Sequence, residues 1–91
     1  MLVNIGIESR LEDREIHEFS DLAAAAGAEC VGSVEGIRKQ PDPRYFVGIG
    51  KVDEISDQIR SGKADLVIFN QGLSPAQERN LERKFKCRVL D

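Results

Sequence analysis

Apolar positions follow two alternating rhythms along this chain, dense β-branched runs and stripes at three-and-four spacing, and together they predict strand, helix, strand, helix, strand, helix, strand. Leu2 to Ile7 is rich in Val and Ile with little alternation, the signature of a strand buried on both faces. Ser9 followed by Glu12 fits a capping box, and Ile16, Phe19, Leu22, Ala23 and Ala26 then form one apolar stripe that stops at Gly27. Ala28 to Val34 predicts the second strand, with Cys30, Val31 and Val34 apolar. Val52, Ile55 and Ile59 mark a second helix from about Lys51 to Ser61, closed by Gly62. Lys63 to Asn70 leaves that helix and runs into the third strand. Ser74-Pro75-Ala76-Gln77 combines an N-cap, a proline at the first helical position and a capping-box glutamine, so a third helix extends to about Lys86. Arg88-Val89-Leu90 opens a fourth strand so near the last residue that a longer chain, or a partner, is expected to continue the sheet.

Strands alternating with helices require right-handed crossovers and a parallel sheet. The expected fold is a single small α/β domain over residues 1–91, a three-layer sandwich of four parallel strands in the order 2-1-3-4 with helices on both faces. That order puts the topological switch between the first and third strands, where Glu8, Ser9 and Arg10 face Asn70, Gln71 and Gly72.

The stretch from Arg38 to Ile55 breaks both rhythms. Pro41 and Pro43 restrict φ and remove two amide donors, which predicts an extended, fairly rigid turn. Gly48 and Gly50 precede the second helix, whose N-terminus offers backbone donors to an anion. Connections this long without periodicity are more often binding loops than links. Arg38, Lys39, Arg44 and Lys51 supply cations, and Tyr45 and Phe46 supply aromatic faces, a combination suited to a phosphate backbone and unpaired bases. At least one of the two aromatics is expected to pack the loop onto the sheet instead.

Composition sharpens this picture. The net charge of −3 hides an asymmetry, because residues 1–36 carry eight acids against Arg10 and Arg14 while residues 37–91 carry eleven cations against eight acids. Two faces of opposite sign follow as an expectation. A second basic cluster, Arg79, Arg83, Lys84, Lys86 and Arg88, is equally compatible with a solvated helix face. No apolar run approaches the roughly 20 residues of a membrane span, and the first residues lack a basic leader, so a cytoplasmic location is expected. Cys30 and Cys87 have no nearby Cys or His and read as buried reduced thiols. His17 lies off the apolar stripe and reads as exposed and silent.

Several chemistries are excluded by residue type. Gly48-Ile49-Gly50-Lys51 is no phosphate loop, because Tyr45 stands where the first glycine is needed and Val52 where the magnesium-binding hydroxyl is needed. Asp53 likewise replaces the third glycine of a dinucleotide fingerprint. A phosphoacceptor domain needs an aspartate at the end of the third strand, and Asn70 is there instead. No metal set and no catalytic residues are proposed for this chain.

Pro41-Asp42-Pro43-Arg44-Tyr45-Phe46-Val47-Gly48-Ile49-Gly50-Lys51-Val52-Asp53-Glu54-Ile55, then Ala64 to Phe69 and Leu73-Ser74-Pro75-Ala76-Gln77-Glu78-Arg79-Asn80-Leu81-Glu82, resemble the N-terminal domain of the HflX family of ribosome-associated GTPases. The resemblance covers nearly the whole chain. It implies a docking and regulatory module whose partners are the large ribosomal subunit, its ribosomal RNA and the GTPase domain of the parent chain, in a protein that splits stalled or idle ribosomes. Arg38, Lys39, Arg44, Tyr45, Phe46 and Lys51 become the candidate RNA contacts. GTP and Mg belong to the GTPase domain, whose motifs are absent here, so no cofactor is expected in these residues. The alternative is a nucleotide-binding module for ATP or GTP at the switch-point edge, with Gly48, Gly50, Lys51, Ser9, Asn70 and Gly72 as contacts.

Overall fold

A computed structural model describes all residues from Met1 to Asp91. Strands β1 (Leu2–Ile7), β2 (Ser33–Arg38), β3 (Leu66–Phe69) and β4 (Arg88–Leu90) alternate with helices α1 (Asp13–Ala25), α2 (Ile49–Gly62) and α3 (Pro75–Phe85). The four strands form one parallel sheet in the order β2-β1-β3-β4, as the pattern predicts. β1 is central and buried along nearly its whole length, which is why its sequence shows no polar alternation.

One face of the sheet holds the core. Val3, Ile5, Val34, Val67, Phe69 and Val89 pack against Val52, Ile55 and Ile59 of α2 and Leu81 and Phe85 of α3. Helix α1 lies on the opposite face and is only lightly seated, with Ala23 its one buried residue and Leu22 exposed to 69%. Leu22 and Ala26 therefore do not belong to a buried stripe. Asp13, Glu15, Glu18 and Asp21 sit on α1, and Glu35 shares its side of the sheet because its neighbour Val34 points into the core.

Boundaries of α1, β2 and α2 differ from the sequence expectation. Ser9 does not cap α1: residues 9–11 fold back over β1 so tightly that a Cβ on Gly6 would run into the Ser9 carbonyl oxygen. The helix starts after Glu12, whose amide donates to Glu15 Oε1 at 3.2 Å. The second strand is Ser33–Arg38, not Ala28–Val34, because Leu2 pairs with Ser33 and Ile7 with Arg38. Cys30 and Val31 stay outside the sheet, and Cys30 is exposed rather than buried; Cys87 is partly buried. Helix α2 begins at Ile49 with Gly48 as N-cap, so Gly50 lies inside the first turn, and it is closed by Lys63 in the left-handed conformation rather than by Gly62, which is its last helical residue.

Candidate functional site

The segment between β2 and α2 is built as a tongue. Asp42 and Phe46 exchange both backbone hydrogen bonds at 2.9 Å, closing residues 42–46 into a tight turn. Asp42 Oδ1 accepts from the amides of Arg44 at 2.8 Å and Tyr45 at 3.1 Å. Those two amides hold the Asp42 carboxyl below its ordinary range; desolvation opposes them, and the charges of Arg38 and Arg44 add to the lowering. Phe46 adopts φ of 68°, a left-handed conformation uncommon for an aromatic residue. The reward is placement: its ring is 4% exposed and meets Phe69 edge to face at 6.3 Å. Phe46 is thus the aromatic that anchors the tongue, and it offers no face to a ligand.

Helix α3 grips the tongue from below. The Gln77 amide does two things, accepting the Ser74 amide at 2.8 Å through Oε1 and donating through Nε2 to the Asp42 carbonyl at 2.8 Å. Asn80, one turn on, donates to the Arg44 carbonyl at 3.0 Å. Asp42, Gln77 and Asn80 were not among the site residues expected from the sequence. Gln77 was legible as half of a capping box, but nothing local signals that its other end reaches 35 positions back along the chain.

This grip presents cations. Arg44 and Lys39 are exposed, and Arg38, Lys39 and Arg44 make no ion pair, the pairs of the molecule all lying elsewhere. The Arg44 guanidinium lies 5.1 Å from the centroid of the half-buried Tyr45 ring. Arg38 lies across the start of α2: one of its terminal nitrogens is 3.0 Å from where a Cβ on Gly48 would sit, and its buried Nε has no partner. A guanidinium at the positive end of a helix, with an unmet donor, is an arrangement that an anion would relieve. Lys51 is less available, since Nζ donates to the Glu35 carbonyl at 2.8 Å and to Glu54 Oε1 at 3.0 Å.

The switch-point residues are arranged differently. The Asn70 side chain clips β3 to β1, accepting the Ile5 amide at 2.8 Å and donating to the Ile5 carbonyl at 3.2 Å, so its polar atoms are already engaged. Gln71 adds a second donor to the same carbonyl at 2.9 Å. Ser9 and Gly72 are exposed. The exit of β1 does reach the tongue's root, where the Glu8 amide donates to the Arg38 carbonyl at 2.6 Å. No group of three or more His, Cys, Asp or Glu side chains is placed to hold a metal ion, and no helix is long and apolar enough to cross a membrane.

Comparison with known proteins adds a family. Residues 13–91 match the model of a family described as "GTP-binding GTPase N-terminal". The chain is 44% identical over its whole length to GTPase HflX of Escherichia coli K12, of which it covers 21%. It is 34% identical over 96% of its length to GTPase HflX of Caldanaerobacter subterraneus, covering 21% of that protein. It is 36% identical over 91% of its length to GTPase HflX of Thermococcus kodakarensis, covering 19%. The chain therefore spans about a fifth of the length of the relatives it matches.

Proposed function

We propose a function from the premise that this chain belongs to the GTP-binding GTPase N-terminal family and is the N-terminal domain of an HflX-type GTPase. It docks the parent protein on ribosomal RNA of the large subunit through the tongue, and it restrains the GTPase domain until docking occurs. The parent then splits stalled or idle ribosomes in the cytoplasm, with GTP and Mg bound by the remainder of its chain. The observation that supports this reading is the tongue itself: unpaired Arg38, Lys39 and Arg44 on a turn held by Gln77, Asn80 and the buried Phe46. Free cations on a preorganised loop lose little conformational freedom when they meet phosphates. Tyr45, with Arg44 over one side of its ring, extends the same surface.

The test is substitution of Lys39 and Arg44 by Glu in the full-length protein, with Arg38 added as a third change. Arg38 is kept separate because its Nε is buried, whereas changes at exposed cations leave stability within about 0.5 kcal/mol. The double variant should bind the large subunit at least about tenfold more weakly and show a flatter salt dependence, each lost phosphate contact removing roughly 0.7 to 0.9 from the log-log slope. Undiminished binding by the triple variant rejects the tongue as the docking surface and moves the assignment to the basic end of α3.

A second reading, a nucleotide-phosphate site at the start of α2, is favoured by one observation, the unpartnered Arg38 Nε beside Gly48. Equilibrium binding of labelled ATP and GTP distinguishes the two: saturable binding at micromolar concentration supports the second reading, and none at millimolar concentration eliminates it.

A further inference from the structure

Strand β2 is an edge of the sheet, with β1 on one side and no strand on the other. The Leu2 and Glu8 amides donate to the Gly32 and Arg38 carbonyls, so the even-numbered residues of β2 turn their backbone toward β1. Ser33, Glu35 and Ile37 therefore turn their amides and carbonyls outward, and Lys39 comes next in the same alternation. The hydrogen bond made to this outer row comes from Lys51 Nζ, which donates to the Glu35 carbonyl at 2.8 Å and leaves that oxygen a second lone pair. Glu35 and Ile37 stand on the α1 side of the sheet, because Val34 points into the core. Read along the edge, the exposed side chains are acid, apolar and base: Glu35, Ile37 at 54% exposure, and Lys39. A strand edge with open amides and carbonyls is a template for another strand.

We propose that this edge pairs with the same edge of a second copy of the chain, antiparallel about a two-fold axis through Ile37. A two-fold contact must be complementary to itself, and the side chains decide its register. With Ile37 opposite Ile37 of the second copy, Glu35 meets Lys39 and Lys39 meets Glu35. The apolar side chains then stack at the centre, and both flanking pairs are oppositely charged. Either neighbouring register that keeps outward backbone groups opposed sets a charged residue against Ile37 instead. Pro41, which falls opposite Ser33, has no amide to donate and ends the ladder beyond Lys39. This pattern favours a closed pair of copies over an unrelated strand or an open-ended stack. Residues 35–39 make a small interface, so the dimer is weak and depends on concentration. The pairing does not rest on the RNA-docking reading.

Sedimentation equilibrium of the full-length protein, without ribosomes, should show reversible association toward a dimer as concentration rises. Glu35→Lys and Lys39→Glu each set like charges against one another in both flanking pairs, and each should weaken association at least about tenfold. Both positions are exposed, so melting temperature should hardly change. An equimolar mixture of the two variants should restore association, because each chain then meets the opposite charge on the other. Ile37→Pro removes the central amide at an edge position that tolerates proline, and it should leave only monomer. A wild-type protein that is monomeric at every concentration overturns the proposal, as does a mixture that associates no better than its components or an Ile37→Pro variant that still dimerises. None of these outcomes bears on large-subunit binding, so failure here and failure of the docking reading are distinguishable.

Discussion

At the scale of single residues, the tongue depends on two side chains that do opposite things. Asp42 is a surface carboxylate that organises backbone, receiving the amides of Arg44 and Tyr45. Because its folded-state pKa is depressed, its contribution is fully present above the ordinary aspartate value of about 3.9 and is lost as pH falls through the lower folded-state value. Carboxyl chemical shifts followed by NMR should therefore give Asp42 a midpoint below the ordinary aspartate value, with the Arg44 and Tyr45 amides shifting at the same midpoint. Phe46 instead anchors the tongue by burial. Replacing it with Ala removes the edge-to-face contact with Phe69 and empties core volume, an expected loss of about 3 to 5 kcal/mol read from urea unfolding. A loss under 1 kcal/mol would mean that the tongue is held by α3 alone.

At the scale of elements, α3 is both a core helix and the tongue's clamp. Leu81 and Phe85 bury its apolar side, while the buried Gln77 amide reaches across to the Asp42 carbonyl. Gln77→Ala leaves that carbonyl and the Ser74 amide without partners, at an expected cost of about 1 to 2 kcal/mol. Gln77→Glu retains the Oε1 acceptor for Ser74 and loses only the donor. Hydrogen exchange of residues 42–46 should rise in both variants, whereas the start of α3 should loosen in the Ala variant alone. Helix α1 is the contrasting element, seated by Ala23 and the half-buried Ile16 and Phe19. Its amides should exchange sooner than those of α2 and α3, whose inward faces reach full burial at Val52, Ile55 and Leu81. Protection of α1 equal to that of α3 in the isolated chain would contradict this ordering.

At the scale of the whole molecule, the sheet separates two surfaces. The core side carries the tongue and the basic end of α3, and the other side carries α1 with its acids. The order of elements, the parallel sheet and its 2-1-3-4 arrangement were legible in the sequence, because strand and helix periodicities are local and a right-handed crossover leaves few topologies. The cap of α3 was legible for the same reason, since Ser74 and Gln77 meet within one turn. The position of β2 was not, because Cys30 and Val31 are as apolar as strand residues and only the register against β1 moves the strand on to Ser33. Nor was the start of α1, where a Ser9 that fits a cap in sequence is drawn over Gly6 instead. Charge and aromatic content singled out the tongue, but which ring anchors it, which cations stay unpaired and what grips it depend on contacts with Phe69, Gln77 and Asn80. Composition and periodicity act over neighbouring residues and so determine elements and their order. Burial, register and side-chain reach act between residues far apart in the chain, and only the folded structure decides them.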